Sequence, residues 1–525
     1  MRMNYNLELR METQQSVLLI LLSVAYLLTC IDGQQAEISR NDFPDHFIFG
    51  TSSAAYQYEG AAALDGRKPS IWDTFTEEHP EKIADGSSGK VAQDFYNLYK
   101  SDIVDRLKVV GFDSFRLSIS WSRVLPYGTI AGGVNHKGVR FYKSLIKTLI
   151  DNGIEPIVTI YHWDLPQALH DKYGGFLSPK FVDDYLDYAD FCFKTFGDSV
   201  KKWITFNEPD KYALGGYESG HLAPGRCSHY FGNCTTGNSA TEPYIVMHHL
   251  LIAHAKAVDL YWKQYKAKQN GIIGITMQAA WAVPKYYTPE ASLAAYRSIE
   301  FVAGWVVHPI TYGDYPQIMR SLVGCRLPKF TEEESKLLIG SLDFLGVNYY
   351  SARYAEDANV SCVIKQGPTN DARVNLTATK NGIPIGPQVA DSWMYVYPQG
   401  LEYLISYLKE NYNSPPMYIT ENGVQDPADY DDTIRIDYHR SHLQHVLQAM
   451  KYGADVRGYY VWTFLDDFEW SSGYTIKFGL YNVDRQTMKR TPKASVHWFK
   501  KFLNTPKPKI MDSEEMESSS LLSTA

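Results

Sequence analysis

Eight short apolar runs alternate with amphipathic helical segments along most of this 525-residue chain, and this alternation restricts the fold more than any other feature. The runs are rich in β-branched and aromatic residues and end at turn-forming residues, which is typical of strands; they cover 47–54, 112–121, 154–162, 202–207, 271–280, 342–350, 417–420 and 457–464. Helical segments lie between them at 91–110, 135–151, 179–196, 243–269, 332–340, 399–411 and 433–452. Parallel strands need helical crossovers, and eight such strands close a cylinder. The sequence therefore predicts an α/β fold, a single (β/α)8 barrel with loop insertions at its C-terminal face.

Polar residues at the ends of the apolar runs are the candidates for function, because barrels of this kind place their chemistry at the C-terminal ends of the strands. Two of these residues are acids: Glu208 in Asn207-Glu-Pro209 and Glu421 in Thr420-Glu-Asn-Gly423. A single glutamate before Asn-Gly is most often a solvated turn residue. Two strand-end acids far apart in the sequence instead suggest one shared site.

A pair of carboxyl groups at one barrel mouth favours acid/base or covalent glycosyl chemistry. To cleave a glycosidic bond, one acid protonates the leaving oxygen while the other attacks the anomeric carbon or activates water. Arg116 would keep Glu421 ionised if the two meet, and Glu208 beside the neutral Asn207 would have its pKa raised by desolvation. The alternative is that Arg116 only bridges strands inside the barrel.

The two ends of the chain differ in composition from its body. Arg2 and Arg10 precede an apolar run at 17–28 that is followed by small and polar residues, which matches a secretory signal better than a membrane span. We expect residues 1–33 to be the signal and 34–504 to be the barrel. Residues 505–525 turn to Lys/Pro and then Glu/Ser composition, which predicts a disordered tail.

Export changes the interpretation of the cysteines. Cys30 would leave with the signal, so that five cysteines remain and at least one thiol is free. Cys227 and Cys234 flank a short loop and are close enough for a local disulfide in an oxidising compartment. Exposed glycosylation loops are predicted at three Asn-X-Ser/Thr sequons, at Asn233, Asn359 and Asn375.

The charge balance and the residue spacing restrict the partners. A formal net charge of −8 and a pI near 6.0 give no electrostatic footprint for nucleic acid or acidic membranes, so a small neutral partner is expected. No Cys or His cluster has zinc spacing, and no metal or cofactor is expected. We expect no membrane anchor, and the sequence leaves a homo-oligomer open.

The strand-end segments together resemble glycoside hydrolase family 1, in its plant β-glucosidase branch. The resemblance runs from 42 to 502 and rests on seven segments occurring in order: 47–60, 115–123, 161–166, Thr205-Phe-Asn-Glu-Pro209, Asn348-Tyr-Tyr350, Tyr418-Ile-Thr-Glu-Asn-Gly423 and 462–474. It implies a retaining β-glucosidase that hydrolyses a small plant O-glucoside through a covalent glucosyl-enzyme. The secretory signal, for its part, predicts entry into the secretory pathway and a final location outside the cell, in the cell wall or in the vacuole.

The same resemblance assigns roles to individual residues. Glu208 matches the acid/base and Glu421 the nucleophile, while Arg116 and Tyr350 match the residues that hold the nucleophile. The remaining matched residues bind substrate. Those on the sugar side are Gln57, His162, Asn207, Trp462, Glu469, Trp470 and Phe478; Trp393 resembles the aromatic that lines the leaving-group side.

The chain departs from the family pattern at Asp467, where the family usually carries Asn. This change predicts an extra charge near Glu469. Glu208 is not replaced by Gln, as it is in the family's thioglucosidases, which favours O-glycosides. The alternatives are a transglucosidase that uses the same intermediate and a catalytically silent sugar-binding barrel, which should lack one acid.

Overall fold

The computed structural model describes residues 38–358, 365–390 and 392–505. Several sequence predictions lie outside these residues: the secretory signal at 1–33, the sequon at Asn359, and the tail beyond residue 505. Cys362 also lies outside them. Along the described parts of the chain, no helix is long and apolar enough to cross a membrane.

Eight parallel strands close a barrel in which consecutive strands are neighbours, as the sequence predicted. The strands are β1 Ile48–Ser52, β2 Ser114–Ser118, β3 Glu155–Tyr161, β4 Lys202–Asn207, β5 Ile272–Gln278, β6 Phe344–Tyr349, β7 Met417–Asn422 and β8 Val456–Val461. The barrel closes where β1 pairs with β8, with Ile48 opposite Gly458 and Thr51 opposite Val461. The C-terminal ends of all eight strands therefore lie at the same rim of the barrel.

Helices surround the barrel and mostly follow the predicted segments. Those of eight or more residues are Ile71–Glu78, Phe95–Asp102, His136–Asp151, Lys180–Phe196, Pro209–Tyr217, Glu242–Tyr261, Pro289–Ile299, Trp305–Tyr312, Gln399–Asn411, Thr433–Lys451 and Ala494–Leu503. The predicted segments 91–110 and 243–269 are not uniform helices, because π-helical turns occur at Ile103–Leu107 and Trp262–Lys266. A π turn has i to i+5 hydrogen bonds, and the periodicity of a short apolar stripe does not reveal it.

The barrel interior is apolar in one layer and polar in the next. Side chains two residues apart point to the same face of a strand. Thus Ile157 and Tyr418 join an apolar cluster inside the barrel, while Thr159 and Thr420 form hydrogen bonds with polar groups nearer the rim. The alternation of side chains along these strands therefore places polar groups just below the mouth of the barrel.

The loop insertions contain more regular structure than the sequence indicated. Two sequons and several Pro and Gly residues at 356–388 predict an irregular surface excursion and a candidate for substrate selection. In the structure, strand Val374–Thr377 pairs with Ala352–Asp357, which also pairs with Trp281–Pro284. Arg326 donates to both carboxylate oxygens of Asp371, at 2.7 Å each, and so ties this insertion to the body. Strand pairing across long sequence separations is not visible in local patterns.

The last described helix, Ala494–Leu503, packs against residues that precede or begin barrel strands. Phe499 contacts Phe112 at 5.5 Å between ring centroids, and Phe502 contacts Phe49 at 5.3 Å. The helix therefore covers the end of the barrel opposite the rim that carries Glu421.

Candidate active site

A cavity of about 380 Å³ lies at the C-terminal ends of the barrel strands. Most of the residues predicted for the site line it: His162, Asn207, Glu208, Tyr350, Trp393, Glu421, Trp462, Glu469, Trp470 and Phe478. Arg116 and Gln57 do not line the cavity, but each contacts residues that do. The structure thus brings the whole predicted set together.

Local irregularities of the backbone aim the two acids at the cavity. The register of β4 shifts between Ile204 and Asn207, and that of β7 shifts between Ile419 and Glu421. Such bulges re-aim side chains near active sites. Glu208 also has a left-handed φ of 43°, directly before Pro209 begins a helix. A left-handed backbone is uncommon for a residue other than glycine, and it turns the chain sharply between β4 and this helix.

Donors hold both carboxylate oxygens of Glu421. The Arg116 guanidinium is ion-paired with Oε1, and the Tyr350 hydroxyl donates to Oε2 at 2.6 Å. Arg116 also donates to Asn207 Oδ1 at 2.6 Å and to Thr159 Oγ1 at 3.2 Å, so it bridges strands as well. Glu421 is 3% exposed, and a buried anion of this kind needs the paired cation.

Glu208 has no such cation bonded to it. Its Oε1 accepts from Asn348 Nδ2 at 2.7 Å, and no ion pair involves it within the described residues. Burial, together with the nearby Glu421 carboxylate, raises the pKa of Glu208 well above its ordinary value. The two acids are therefore suited to different roles: Glu208 as a proton donor and Glu421 as an anion.

Polar side chains beside Glu421 form a second part of the site. Asn207 Nδ2 lies 2.9 Å from His162 Nε2, and Gln57 donates to Glu469 Oε2 at 3.2 Å. Burial and the charge of Arg116 lower the pKa of His162, and burial and Glu421 raise the pKa of Glu469 to about 7. Gln57 Oε1 and His162 Nδ1 are buried and have no protein partner. These groups are free to bind a ligand with several hydroxyls.

Aromatic rings form much of the cavity wall. Trp470 packs against Trp163 with 4.7 Å between centroids, and Phe478 stands edge-on to Tyr350 at 6.0 Å. Trp462 lies nearly parallel to His162. Trp393 is 52% exposed and so lies toward solvent. Buried rings on one side and an exposed ring on the other give the cavity an inner and an outer part.

Asp467, which the sequence predicts to add a charge near Glu469, lies in surroundings that favour its neutral form. Its side chain is 2% exposed, and its Oδ2 has no protein partner. Burial and the neighbouring Glu469 and Asp466 carboxylates raise the pKa of Asp467 well above its ordinary value. A protonated Asp467 is neutral and keeps a hydrogen to donate, much like an asparagine amide.

Several cavity residues were missed from the sequence: Trp163, Lys211, His221, Leu222, Gln278, Ser471, Ser472 and Ile476. Gln278 ends β5, and its position at a strand end could have identified it. Trp163, Ser471 and Ser472 fall inside matched segments, next to residues that were identified, and the others lie on loops or on the helix Pro209–Tyr217. The stretch 356–388 was a candidate for substrate selection, yet none of its described residues lines the cavity.

The remaining predictions on cysteines and sequons concern the surface. Cys227 and Cys234 form a disulfide with a Cα–Cα distance of 5.5 Å. Among the described cysteines, Cys192 is buried with a free thiol and Cys325 is exposed with one. Asn233 and Asn375 are both exposed. In the described parts of the chain, no group of three or more His, Cys, Asp or Glu side chains could hold a metal ion.

A closed (β/α)8 barrel with two unequal acids, a hydroxyl-binding group and aromatic walls at its mouth defines a glycoside-hydrolysing class of enzyme. Comparison with known proteins agrees: the Glycosyl hydrolase family 1 model matches residues 39–508. This chain belongs to glycosyl hydrolase family 1, whose β-glucosidases are its relatives.

Individual relatives are similar over nearly their whole length. Beta-glucosidase 17 of Arabidopsis thaliana is 51% identical, over 90% of this chain and 93% of that protein. Beta-glucosidase 12 of Oryza sativa subsp. indica is 53% identical, over 89% of this chain and 93% of that protein. A rice beta-glucosidase mutant, solved in a covalent complex with Glc from GA4GE, is 46% identical, with a TM-score of 0.87 and coverage of 89% and 100%.

Proposed function

We propose that this protein is a retaining β-glucosidase that acts by double displacement on a small plant O-glucoside. In the first step, an oxygen of Glu421 attacks the anomeric carbon while Glu208 gives its proton to the leaving oxygen. The bond to the leaving group breaks as the glucosyl–Glu421 ester forms. In the second step, Glu208 takes a proton from water, the water oxygen attacks the anomeric carbon, and the ester breaks.

The unequal surroundings of the two acids carry this proposal. Arg116 and Tyr350 fix Glu421 as an anion beside the cavity, whereas burial and Glu421 raise the pKa of Glu208 so that it holds a proton. When the ester forms, Glu421 loses its negative charge, so the pKa of Glu208 falls and it becomes the base. The covalent Glc complex of the rice relative supports the same intermediate.

The proposed substrate and location follow from the chemistry of the site and of the surface. His162, Gln57 and Glu469 would bind sugar hydroxyls, and the parallel-lying Trp462 would support the ring. We propose that the chain enters the secretory pathway and acts in the cell wall, in the vacuole or outside the cell. The disulfide and the exposed Asn233 and Asn375 sequons support export.

The stereochemistry of the product tests the mechanism. We expect NMR of the reaction with 4-nitrophenyl β-D-glucoside to show β-glucose first, followed by slow mutarotation. Early α-glucose would overturn the double displacement. Glucose transferred to an added alcohol, with little free glucose, would instead identify a transglucosidase.

Two variants assign the roles. Glu421→Ala should lose all measurable hydrolysis, because no group remains to form the ester. Glu208→Gln should lose activity far more on a substrate with a poor leaving group than on one with a nitrophenolate, because only the former needs the proton. Full turnover by Glu421→Ala, or an equal loss on both substrates by Glu208→Gln, would contradict the assignment.

A further inference from the structure

Lys211 places a positive charge on the outer part of the cavity, close to Glu208. It lies three residues after Glu208, on the first turn of the helix Pro209–Tyr217, and it lines the cavity. Both residues line the same cavity, and the charge of Lys211 acts on the Glu208 carboxyl, so Lys211 is on the side of Glu208. Since Glu208 protonates the leaving oxygen, Lys211 faces the leaving group rather than the sugar.

The Lys211 ammonium has no hydrogen bond or ion pair with any described residue. Most other cations near the site are bound to the protein: Arg116 pairs with Glu421, and Lys82 donates to the carbonyl of Gly220 at 2.9 Å. The ring of His221, also on this wall, contacts Ser219 Oγ at 2.6 Å. Lys211 is thus a cation that a ligand can reach.

The acids nearest Lys211 do not cancel its charge. Burial and the Glu421 carboxylate raise the pKa of Glu208, and burial raises the pKa of Asp210 to about 7. A pKa of about 7 leaves Asp210 largely protonated at pH 6, and burial likewise favours the protonated form of Glu208. Apolar side chains line the same cavity, among them Leu222, Ile476 and the half-exposed Trp393. The wall combines one accessible positive charge with apolar surface.

We propose that Lys211 selects glucosides whose leaving group is an apolar body, such as an aromatic ring, that carries a carboxylate. The apolar body packs on the cavity wall, and the carboxylate pairs with the Lys211 ammonium. This inference rests on the proposed β-glucosidase function and adds the chemical class of the leaving group. Lys211 is a binding residue here and takes no part in proton transfer.

A matched substrate pair tests the proposal. We would measure kcat/KM at pH 6 for 4-carboxyphenyl β-D-glucoside and for its uncharged amide, 4-carbamoylphenyl β-D-glucoside. The ratio of the two values is the readout, because it cancels any effect of a substitution on folding or on Glu208. Lys211→Met should lower the acid-to-amide ratio by about two- to fivefold, the range of a partly exposed ion pair.

Two further variants and a salt series sharpen the test. Lys211→Arg should keep the wild-type ratio because it keeps the charge. Lys268→Met changes another exposed lysine, one outside the cavity, and should also keep the ratio. Added salt should lower the wild-type ratio but not that of Lys211→Met, because exposed charges are screened.

The outcomes separate this inference from the function on which it rests. An unchanged ratio in Lys211→Met, or an equal fall in Lys268→Met, would overturn the role of Lys211. No hydrolysis of the uncharged amide by the wild-type enzyme would overturn the proposed function instead.

Discussion

Glu208 and Glu421 are the same residue type in the same cavity, and the groups that contact them make them chemically different. Glu421 accepts from Arg116 and Tyr350, which stabilise a negative charge. Glu208 accepts from the amide of Asn348 and is buried near Glu421, which disfavours a second negative charge. Single contacts at the residue scale thus separate the proton donor from the anion.

Substitution of Asp467 tests whether its buried carboxyl is neutral. We expect Asp467→Asn to leave the pH profile of kcat/KM unchanged to within about twofold between pH 5 and 7. The reason is that burial and the neighbouring Glu469 and Asp466 carboxylates raise the pKa of Asp467 and so favour its neutral form, which Asn resembles. The measurement is hydrolysis of 4-nitrophenyl β-D-glucoside across this range.

The neighbour Glu469 is the control for this substitution. Glu469→Gln should lower kcat/KM by about ten- to a hundredfold, because it replaces a carboxyl oxygen that would bond the sugar hydroxyls with an amide NH2 that can only donate. If Asp467 were ionised, replacing it with Asn would lower the pKa of Glu208 and move the alkaline limb of the profile to lower pH. Such a shift would contradict the prediction.

At the scale of elements, short connections after the strands build the outer wall of the cavity. The segment that follows the helix Pro209–Tyr217 carries His221 and Leu222 into the cavity, and the Cys227–Cys234 disulfide closes the loop beyond them. Lys82 holds the same segment through the carbonyl of Gly220. The position of Leu222 in the cavity wall therefore depends on the Cys227–Cys234 disulfide, several residues further along the chain.

Removing the disulfide should affect stability and the leaving-group side together. We expect the Cys227→Ser, Cys234→Ser double variant to be less stable by about 2 kcal/mol, because an open short loop has more freedom when unfolded. Thermal unfolding measures this. KM for a bulky aryl glucoside should rise, while inhibition by glucose should not change.

The comparison of a bulky substrate with glucose is the internal control. In the proposed binding mode, glucose occupies the inner part of the cavity, away from Leu222. An equal loss of affinity for both ligands would show that the loop acts on the whole site. Unchanged KM for the bulky glucoside would show that the disulfide does not position the wall.

At the scale of the whole molecule, buried histidines make stability depend on pH. Burial lowers the pKa of His254 to about 3, and that of His442 to about 3 as well. An unfolded histidine titrates near about 6.5, so the unfolded state binds the proton first as the pH falls. The stabilising contribution of each neutral histidine is complete above about 6.5 and is lost progressively down to about 3.

We therefore expect His254→Gln to reduce the loss of stability on acidification. Between pH 7 and 5, the free energy of unfolding should fall by about 2 kcal/mol less in the variant than in the wild type, because the variant has no histidine to protonate at this site. Urea unfolding at both pH values measures it. Asp210 and Glu218, each with a pKa raised to about 7, act in the opposite direction, but they are present in both proteins. If the free energy of unfolding fell equally in both proteins between pH 7 and 5, the prediction would be contradicted.

Much of the fold and the site could be predicted because the relevant signals are local. Each barrel strand is an apolar run that ends at turn residues, and most of the matched site residues fall at or soon after such an end; Arg116 lies inside β2, and Trp393 and Phe478 lie on later loops. The pairing of Ala352–Asp357 with Val374–Thr377 and the π turns could not be predicted, because they depend on distant packing. Lys211 and Ile476 were missed for the same reason.

The sequence by itself determined the eight alternating strands and helices, the two strand-end acids and the family, since periodicity and short motifs are properties of neighbouring residues. Only the tertiary structure decided how those acids differ. Arg116 reaches Glu421 from another strand, and burial raises the pKa of Asp467, at a position where the sequence suggested a charge. Protonation depends on solvent exclusion and on charges brought close in space, and neither is fixed before the barrel closes.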